Sequence, residues 1–170
     1  VLINPLVLTD LDMDLIRYLK ESNLPVFLSL QGLLREKSEG GRVRQVKPAV
    51  LDEILAYVDV LFLDVYEARF LYSDLSIEDA ARRLALMGPD EVVITQNKEG
   101  SLIYRNGEDK IYDIDPFPVK EKISPTGAGD TYMAAYVIKH MEDGDVAECG
   151  DFASKVAALK LENEGPFNKT

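Results

Sequence analysis

The sequence predicts an α/β protein of three layers, αβα, built on a mostly parallel sheet that carries one antiparallel hairpin. Three observations point there. Short, continuously apolar runs at residues 26–30, 60–63 and 92–95 have the length and composition of strands buried on both faces. Amphipathic helical patterns separate these runs, and the alternation of strand and helix is the order of parallel strands joined by right-handed crossovers. Finally, Asn106-Gly107 lies between two strand-like segments, 101–105 and 110–114, the composition of a hairpin turn.

Each element has a local reason. Leu11, Leu15, Ile16 and Leu19 follow Thr9 at helical spacing, with Asp12 three residues beyond Thr9 as in a capping box, and predict a helix over 10–22. Pro25 leads into the first buried strand. The polar stretch 35–47, with Gly40-Gly41, reads as a loop. Pro48, suited to a first helical turn because no N–H is missed there, precedes Leu51, Ile54, Leu55 and Val58 on a second helix. Ser76 caps a helix through Ala80, Ala81, Leu84 and Ala85 that stops at Gly88. After the hairpin come a loop bearing Pro116 and Pro118 and two helices, near 131–141 and 146–163. No internal repeat interrupts this order, and residues 1–170 read as a single α/β domain.

Composition narrows the function. With 46% hydrophobic and 29% charged residues the chain has the makeup of a soluble globular domain. A formal net charge of −11 argues against a nucleic-acid surface, which needs clustered Lys and Arg. Cys149 is the only cysteine, so no internal disulfide can form and a reducing, cytoplasmic setting is expected. No apolar run reaches the roughly 18 residues of a membrane helix, so no membrane partner is expected either.

The most informative stretch is Ser124-Pro-Thr-Gly-Ala-Gly-Asp130-Thr-Tyr-Met-Ala-Ala-Tyr136. Gly127 and Gly129 let the backbone approach a phosphate closely, and the helix that follows aims its first N–H groups and positive dipole end at the same point. Asp130 sits beside them, held ionised by the dipole and placed to take a proton from an attacking hydroxyl. That combination suits phosphoryl transfer to an alcohol.

The pattern resembles the second signature of the ribokinase (PfkB) family of carbohydrate kinases, roughly Asp-Thr-x-Gly-Ala-Gly-Asp followed by small residues. The match is unbroken from Gly127 to Ala135, with Ser124 in place of the family's first Asp. The resemblance implies a ribokinase-like fold, Asp130 as catalytic base, and Gly127, Ala128 and Gly129 as the anion hole. It also implies ATP and Mg²⁺ as cofactors, and a sugar, polyol or nucleoside as acceptor. Further pieces fall in place along the chain. Asp64-Val-Tyr-Glu67 is similar to the family's Asn-x-x-Glu, which makes Glu67, and with it Asp64, the expected Mg²⁺ residues. Thr95-Gln-Asn97-Lys-Glu-Gly100 is similar to Thr-x-Gly-x-x-Gly, with Asn97 for a glycine, and assigns Thr95, Asn97 and Gly100 to the nucleotide. Ser154, on an alanine-rich segment like the one lining the adenine site in relatives, completes that set. Gln31-Gly32 and Arg35 are similar to a Gln-Gly-x-x-Arg loop of some members.

Two readings follow. In the first the protein is an ATP-dependent kinase. In the second it is a non-catalytic nucleotide-binding or regulatory module on the same scaffold, a reading favoured by the departures at Asp64, Asn97 and Ser124 and opposed by the retention of Asp130. The chain opens at Val1 directly in an apolar run, and the family's sugar-binding N-terminal part is expected to be absent from it, so these residues alone are expected to be inactive. Many relatives pair subunits through lid strands, and a homodimer is carried as the corresponding expectation.

Overall fold

The computed structural model describes residues 1–120, 123–165 and 167. Eight strands are assigned: β1 (Leu2–Ile3), β2 (Phe27–Ser29), β3 (Arg35–Lys37), β4 (Val43–Gln45), β5 (Val60–Asp64), β6 (Glu91–Thr95), β7 (Ser101–Arg105) and β8 (Lys110–Ile114). The helices are α1 (Met13–Glu21), α2 (Leu51–Leu55), α3 (Val65–Leu71), α4 (Ile77–Ala85), α5 (Ala128–Met141) and α6 (Val146–Leu161). Six strands form one sheet in the order β1-β2-β5-β6-β7-β8, while β3 and β4 pair separately. Packing divides the chain into two compact units, Val1–Ile94 with Tyr104–Lys110, and Thr95–Ile103 with Ile111–Thr170.

In the first unit β2 lies parallel between β1 and β5, with Phe27 opposite Val60 and Leu2 opposite Phe27. Phe27, Leu28 and Leu61 are buried, as continuous apolar runs on a doubly covered sheet require. Helix α1 begins later than the pattern from Thr9 predicts. Asp10 accepts hydrogen bonds from the N–H groups of Leu6 and Val7 at 3.0 and 3.1 Å, which draws Leu8–Asp10 into a 3-10 turn. Asp12, rather than Thr9, then caps the helix by accepting from the Asp14 N–H at 2.9 Å. The stretch 35–47 is not a plain loop, because β3 and β4 form an antiparallel ribbon with Glu36 opposite Arg44. The Arg44 guanidinium donates to the Glu36 carboxylate, a cross-strand pair of opposite charge that composition alone did not reveal.

The hairpin at Asn106-Gly107 exists, but its turn is longer than the two-residue type. Asn106–Glu108 makes a 3-10 turn and Asp109 takes the left-handed conformation, with φ of 46°. Tyr104 donates its hydroxyl to Asp109 at 3.1 Å, and the Asn106 N–H donates to the Asp90 carbonyl, so local partners outside the dipeptide select the turn. Near the base of the same hairpin, buried Glu91 is satisfied by an ion pair with Arg105.

In the second unit α5 and α6 pack along each other and against β7 and β8. Gly150 of α6 permits the approach. A Cβ there would lie 2.6 Å from Ile114 Cγ1 and 2.9 Å from Ile103 Cδ1. Tyr132, Met133 and Tyr136 fill the interior, and the Tyr132 hydroxyl shares a buried 2.7 Å hydrogen bond with Ser101 at the start of β7. Asp145 caps α6 by accepting from the Glu148 N–H, while Glu148 accepts from the Asp145 N–H in return.

Candidate active site

Helix α5 starts at Ala128, three residues before the apolar pattern predicts, and this decides the geometry of the signature. Gly127 becomes the N-cap, in the left-handed conformation with φ of 80°, where an L side chain is strained. Ala128, Gly129 and Asp130 occupy the first turn, whose N–H groups have no carbonyl one turn back. The Ala128 N–H donates to the Pro125 carbonyl at 3.2 Å, and Thr131 donates through both its N–H and its hydroxyl to the Gly127 carbonyl. These bonds freeze the turn. Gly129 and Asp130 lie exposed at the helix mouth, and a Cβ added at Gly129 would meet nothing within 4 Å. The arrangement is a braced turn, open at Gly129, at the positive end of a fourteen-residue helix with an exposed carboxylate in its first turn.

A cavity of about 420 Å³ in the same unit is lined by Asp115, Pro116, Phe117, Pro118, Asp151, Phe152, Ser154 and Lys155. Ser154 stands in its wall as a tie rather than as a bare contact. Its hydroxyl donates to the Asp115 carbonyl and accepts from the Phe117 N–H, both at 3.0 Å, which fixes the proline-bearing loop against α6. Two half-exposed rings, Phe117 and Phe152, give the cavity an apolar lining suited to a flat ring system.

Thr95, Asn97 and Gly100 share the connection from β6 to β7. Thr95 is half-buried at the strand end, and Asn97 adopts a left-handed φ of 56°, the conformation that a glycine would supply at that point. Gly100 serves a different need. A Cβ there would lie 2.0 Å from the Ile114 carbonyl oxygen, so only glycine lets the β7 backbone pass β8 so closely.

Asp64 and Glu67 belong to the first unit, and the structure makes them a reciprocal capping box on α3. Asp64 Oδ1 accepts from the N–H groups of Tyr66 and Glu67 at 2.8 Å each, and Glu67 Oε2 accepts from the Asp64 N–H at 2.9 Å. Burial of Glu67, only 9% exposed, pushes its carboxyl up to about 7; its bond from the Asp64 N–H and the charge of Arg35 act in the opposite direction. Among the described residues, no three His, Cys, Asp or Glu side chains converge on a metal position. Mg²⁺ is an ion that keeps most of its water and takes only one or two protein carboxylates, the number that this pair offers. Asp64 Oδ2 and Glu67 Oε1 are the oxygens outside the box.

Sequence reasoning missed Lys160. Its side chain is 2% exposed, and its Nζ donates to the carbonyls of Asn163 at 3.2 Å and Ser124 at 3.5 Å. Cε stands 3.7 Å from the place a Gly127 Cβ would take. A lysine in the last turn of a helix ordinarily reads as a solvated favourable charge, so no signal in the sequence marks this one. Arg35 was noted only for a motif, whereas its charge acts on Glu67.

Residues 28–170 match the model of the pfkB family of carbohydrate kinases, and the chain belongs to that family. It is 39% identical over 115 residues to a nucleoside kinase of Methanothermobacter thermautotrophicus, an alignment covering 68% of this chain and 35% of that protein. The chain thus spans about a third of the length of the curated relatives it matches. Its fold is that of the ribokinase-family kinases. A pyrophosphate-dependent kinase of the ribokinase family, complexed with a pyrophosphate analog and myo-inositol, superposes with a TM-score of 0.85 at 20% identity, covering 98% of this chain and 60% of its own. Arabidopsis thaliana ribokinase complexed with ribose and ATP gives 0.74 at 23%, covering 90% and 46%.

Proposed function

We propose that the protein transfers a phosphoryl group from ATP to a hydroxyl of a sugar, polyol or nucleoside. The observation that carries this reading is the turn at Gly127, left-handed and braced by Thr131, which opens α5 with an unobstructed Gly129 and an exposed Asp130. In phosphoryl transfer most of the catalysis is positioning and stabilisation of charge on the equatorial oxygens. The first turn of α5 holds that charge. Asp130 accepts the acceptor's proton as the new O–P bond forms.

The cavity at Phe117 and Phe152 takes the adenine, with Ser154 holding its wall and Thr95, Asn97 and Gly100 shaping the neighbouring turn. Asp64 and Glu67 are the residues that would hold Mg²⁺ through its water shell, and the ion would supply positive charge there. A pyrophosphate donor, as in the ribokinase-family kinase named above, would leave the apolar cavity without a purpose, which is why ATP is preferred. The identity to a nucleoside kinase puts nucleosides first among acceptors to screen.

Two of the three departures that favoured a non-catalytic module, Asp64 and Asn97, are locally tolerable. Aspartate and asparagine cap helices equally well, so Asp64 performs the local task of an asparagine, and Asn97 takes a left-handed backbone that suits a glycine. A cytoplasmic setting, where ATP is made and used, goes with this reading, and neither nucleic acid nor membrane has a part in it. Among the described residues no helix is long and apolar enough to cross a membrane. Isothermal titration of the full-length polypeptide with MgATP and with magnesium pyrophosphate tests the reading. Heat with MgATP, and none with pyrophosphate, is expected; no heat with MgATP from a folded protein would overturn it.

A further inference from the structure

Among the described residues Lys160 is the largest buried charged side chain, and it forms no salt bridge with any of them. An ammonium group taken out of water needs either a counter-charge or a full set of acceptors. An ammonium has three donors, and the carbonyls of Ser124 and Asn163 account for two. The distance to the Ser124 carbonyl, 3.5 Å, is at the long end for a hydrogen bond, so the acceptor set is incomplete. A lysine serving only to offset the dipole at the end of α6 would keep its head in solvent, as lysines normally do.

Its location supplies the missing half of the account. Lys160 runs from α6 under the segment that enters α5: Nζ bonds the carbonyl of Ser124, and Cε lies 3.7 Å from the Cβ position of Gly127. The same entry segment is pinned to α6 by the Ile123 and Ser124 N–H groups, which donate to the Leu161 carbonyl at 2.8 and 3.2 Å. The Lys160 stem therefore lies against the glycine turn, with its ammonium on the carbonyl of the segment that enters it.

We propose that Lys160 is a positioning residue, a fixed buried cation whose counter-charge is the phosphate anion held at the Gly127–Gly129 turn. This rests on the reading of that turn as the phosphate site. Gly127 serves the turn through its φ of 80°, and a Cβ there would stand 3.7 Å from Lys160 Cε. In a poorly solvated interior the attraction is screened less than at the surface. Without the anion, the buried charge is a standing penalty on folding.

Opposite outcomes separate this role from a structural one. In the full-length polypeptide, Lys160→Met keeps the volume and removes the charge. The expected result is a melting temperature equal to or above that of the wild type, with affinity for MgATP and for inorganic tripolyphosphate reduced about ten-fold or more, the loss typical of a bond to a charged group. Lys160→Ala opens a space for a small cation, so methylammonium at millimolar concentration should restore part of the affinity while methanol does not. Equal affinity in wild type and Lys160→Met would overturn the inference and leave the kinase reading standing. Loss of folding in Lys160→Met, with Lys160→Ala indifferent to methylammonium, would also overturn it. If the folded wild type binds neither tripolyphosphate nor MgATP, the phosphate site itself fails and the inference falls with it.

Discussion

Glu67→Gln separates the energetic consequence of the buried carboxyl from its local hydrogen bond. Glutamine can still accept from the Asp64 N–H through its amide oxygen, so the capping box on α3 survives while the ionisable group is lost. In the folded protein burial raises the Glu67 carboxyl from 4.5 to about 7. The unfolded chain releases this proton first as pH rises, so the folded state binds more protons between those values and loses stability across that window. At about 1.36 kcal/mol per pH unit, keeping the charged form buried costs on the order of 3 kcal/mol above pH 7, of which about 2 kcal/mol develops between pH 5.5 and 8. Below about 4.5 both states are protonated and the cost vanishes. Chemical denaturation of wild type and Glu67→Gln at pH 5.5 and 8 should therefore show the variant gaining about 2 kcal/mol relative to wild type across that range. Carbon-13 NMR of the Glu67 carboxyl supplies a direct check, with a midpoint near 7 expected. Parallel stability profiles, or a midpoint near 4.5, would refute the argument that desolvation dominates at this site.

Three other substitutions test the second unit. Gly129→Ala places a Cβ where nothing lies within 4 Å, so folding should be unchanged or improved by up to about 1 kcal/mol, while MgATP affinity measured by calorimetry falls because the methyl enters the open space where the proposed phosphate would sit. Asp130→Asn should leave MgATP affinity nearly intact and reduce turnover with the true acceptor by about two to four powers of ten, the usual contribution of a positioned general base; undiminished turnover would reassign the base. Gly150→Ala drives a methyl group into Ile114 and Ile103 and should cost about 1–3 kcal/mol in denaturant unfolding, with no specific effect on nucleotide affinity beyond that.

Local chemistry made much of this protein legible. The apolar runs gave strands β2, β5 and β6 because a strand covered on both faces leaves a continuous apolar signature, and the glycine-rich signature marked the left-handed turn that opens α5 because few other sequences can open a helix that way. The capping pair Asp64 and Glu67 was visible as two carboxylates one turn apart, yet its burial was not. Only the packed structure shows Glu67 shielded from water, which is what raises its carboxyl.

Other features depended on competing local bonds or on partners distant in sequence. Asp10 displaced the start of α1 by capturing backbone groups of its own turn, a competition between two local solutions that periodicity does not weigh. The β3–β4 ribbon needed pairing across a polar segment with no alternation to announce it. Gly100 and Gly150 resemble any other glycine until Ile114, on a neighbouring strand, is seen to occupy the space of their side chains. Lys160 shows the same limit in its strongest form. The sequence by itself determined the family signature, the buried strands β2, β5 and β6 and the carboxylate at the helix mouth, all of which are written in spacings of a few residues. The tertiary structure alone decided which charge lies buried and beneath which turn, because burial is a property of what other segments bring to a place.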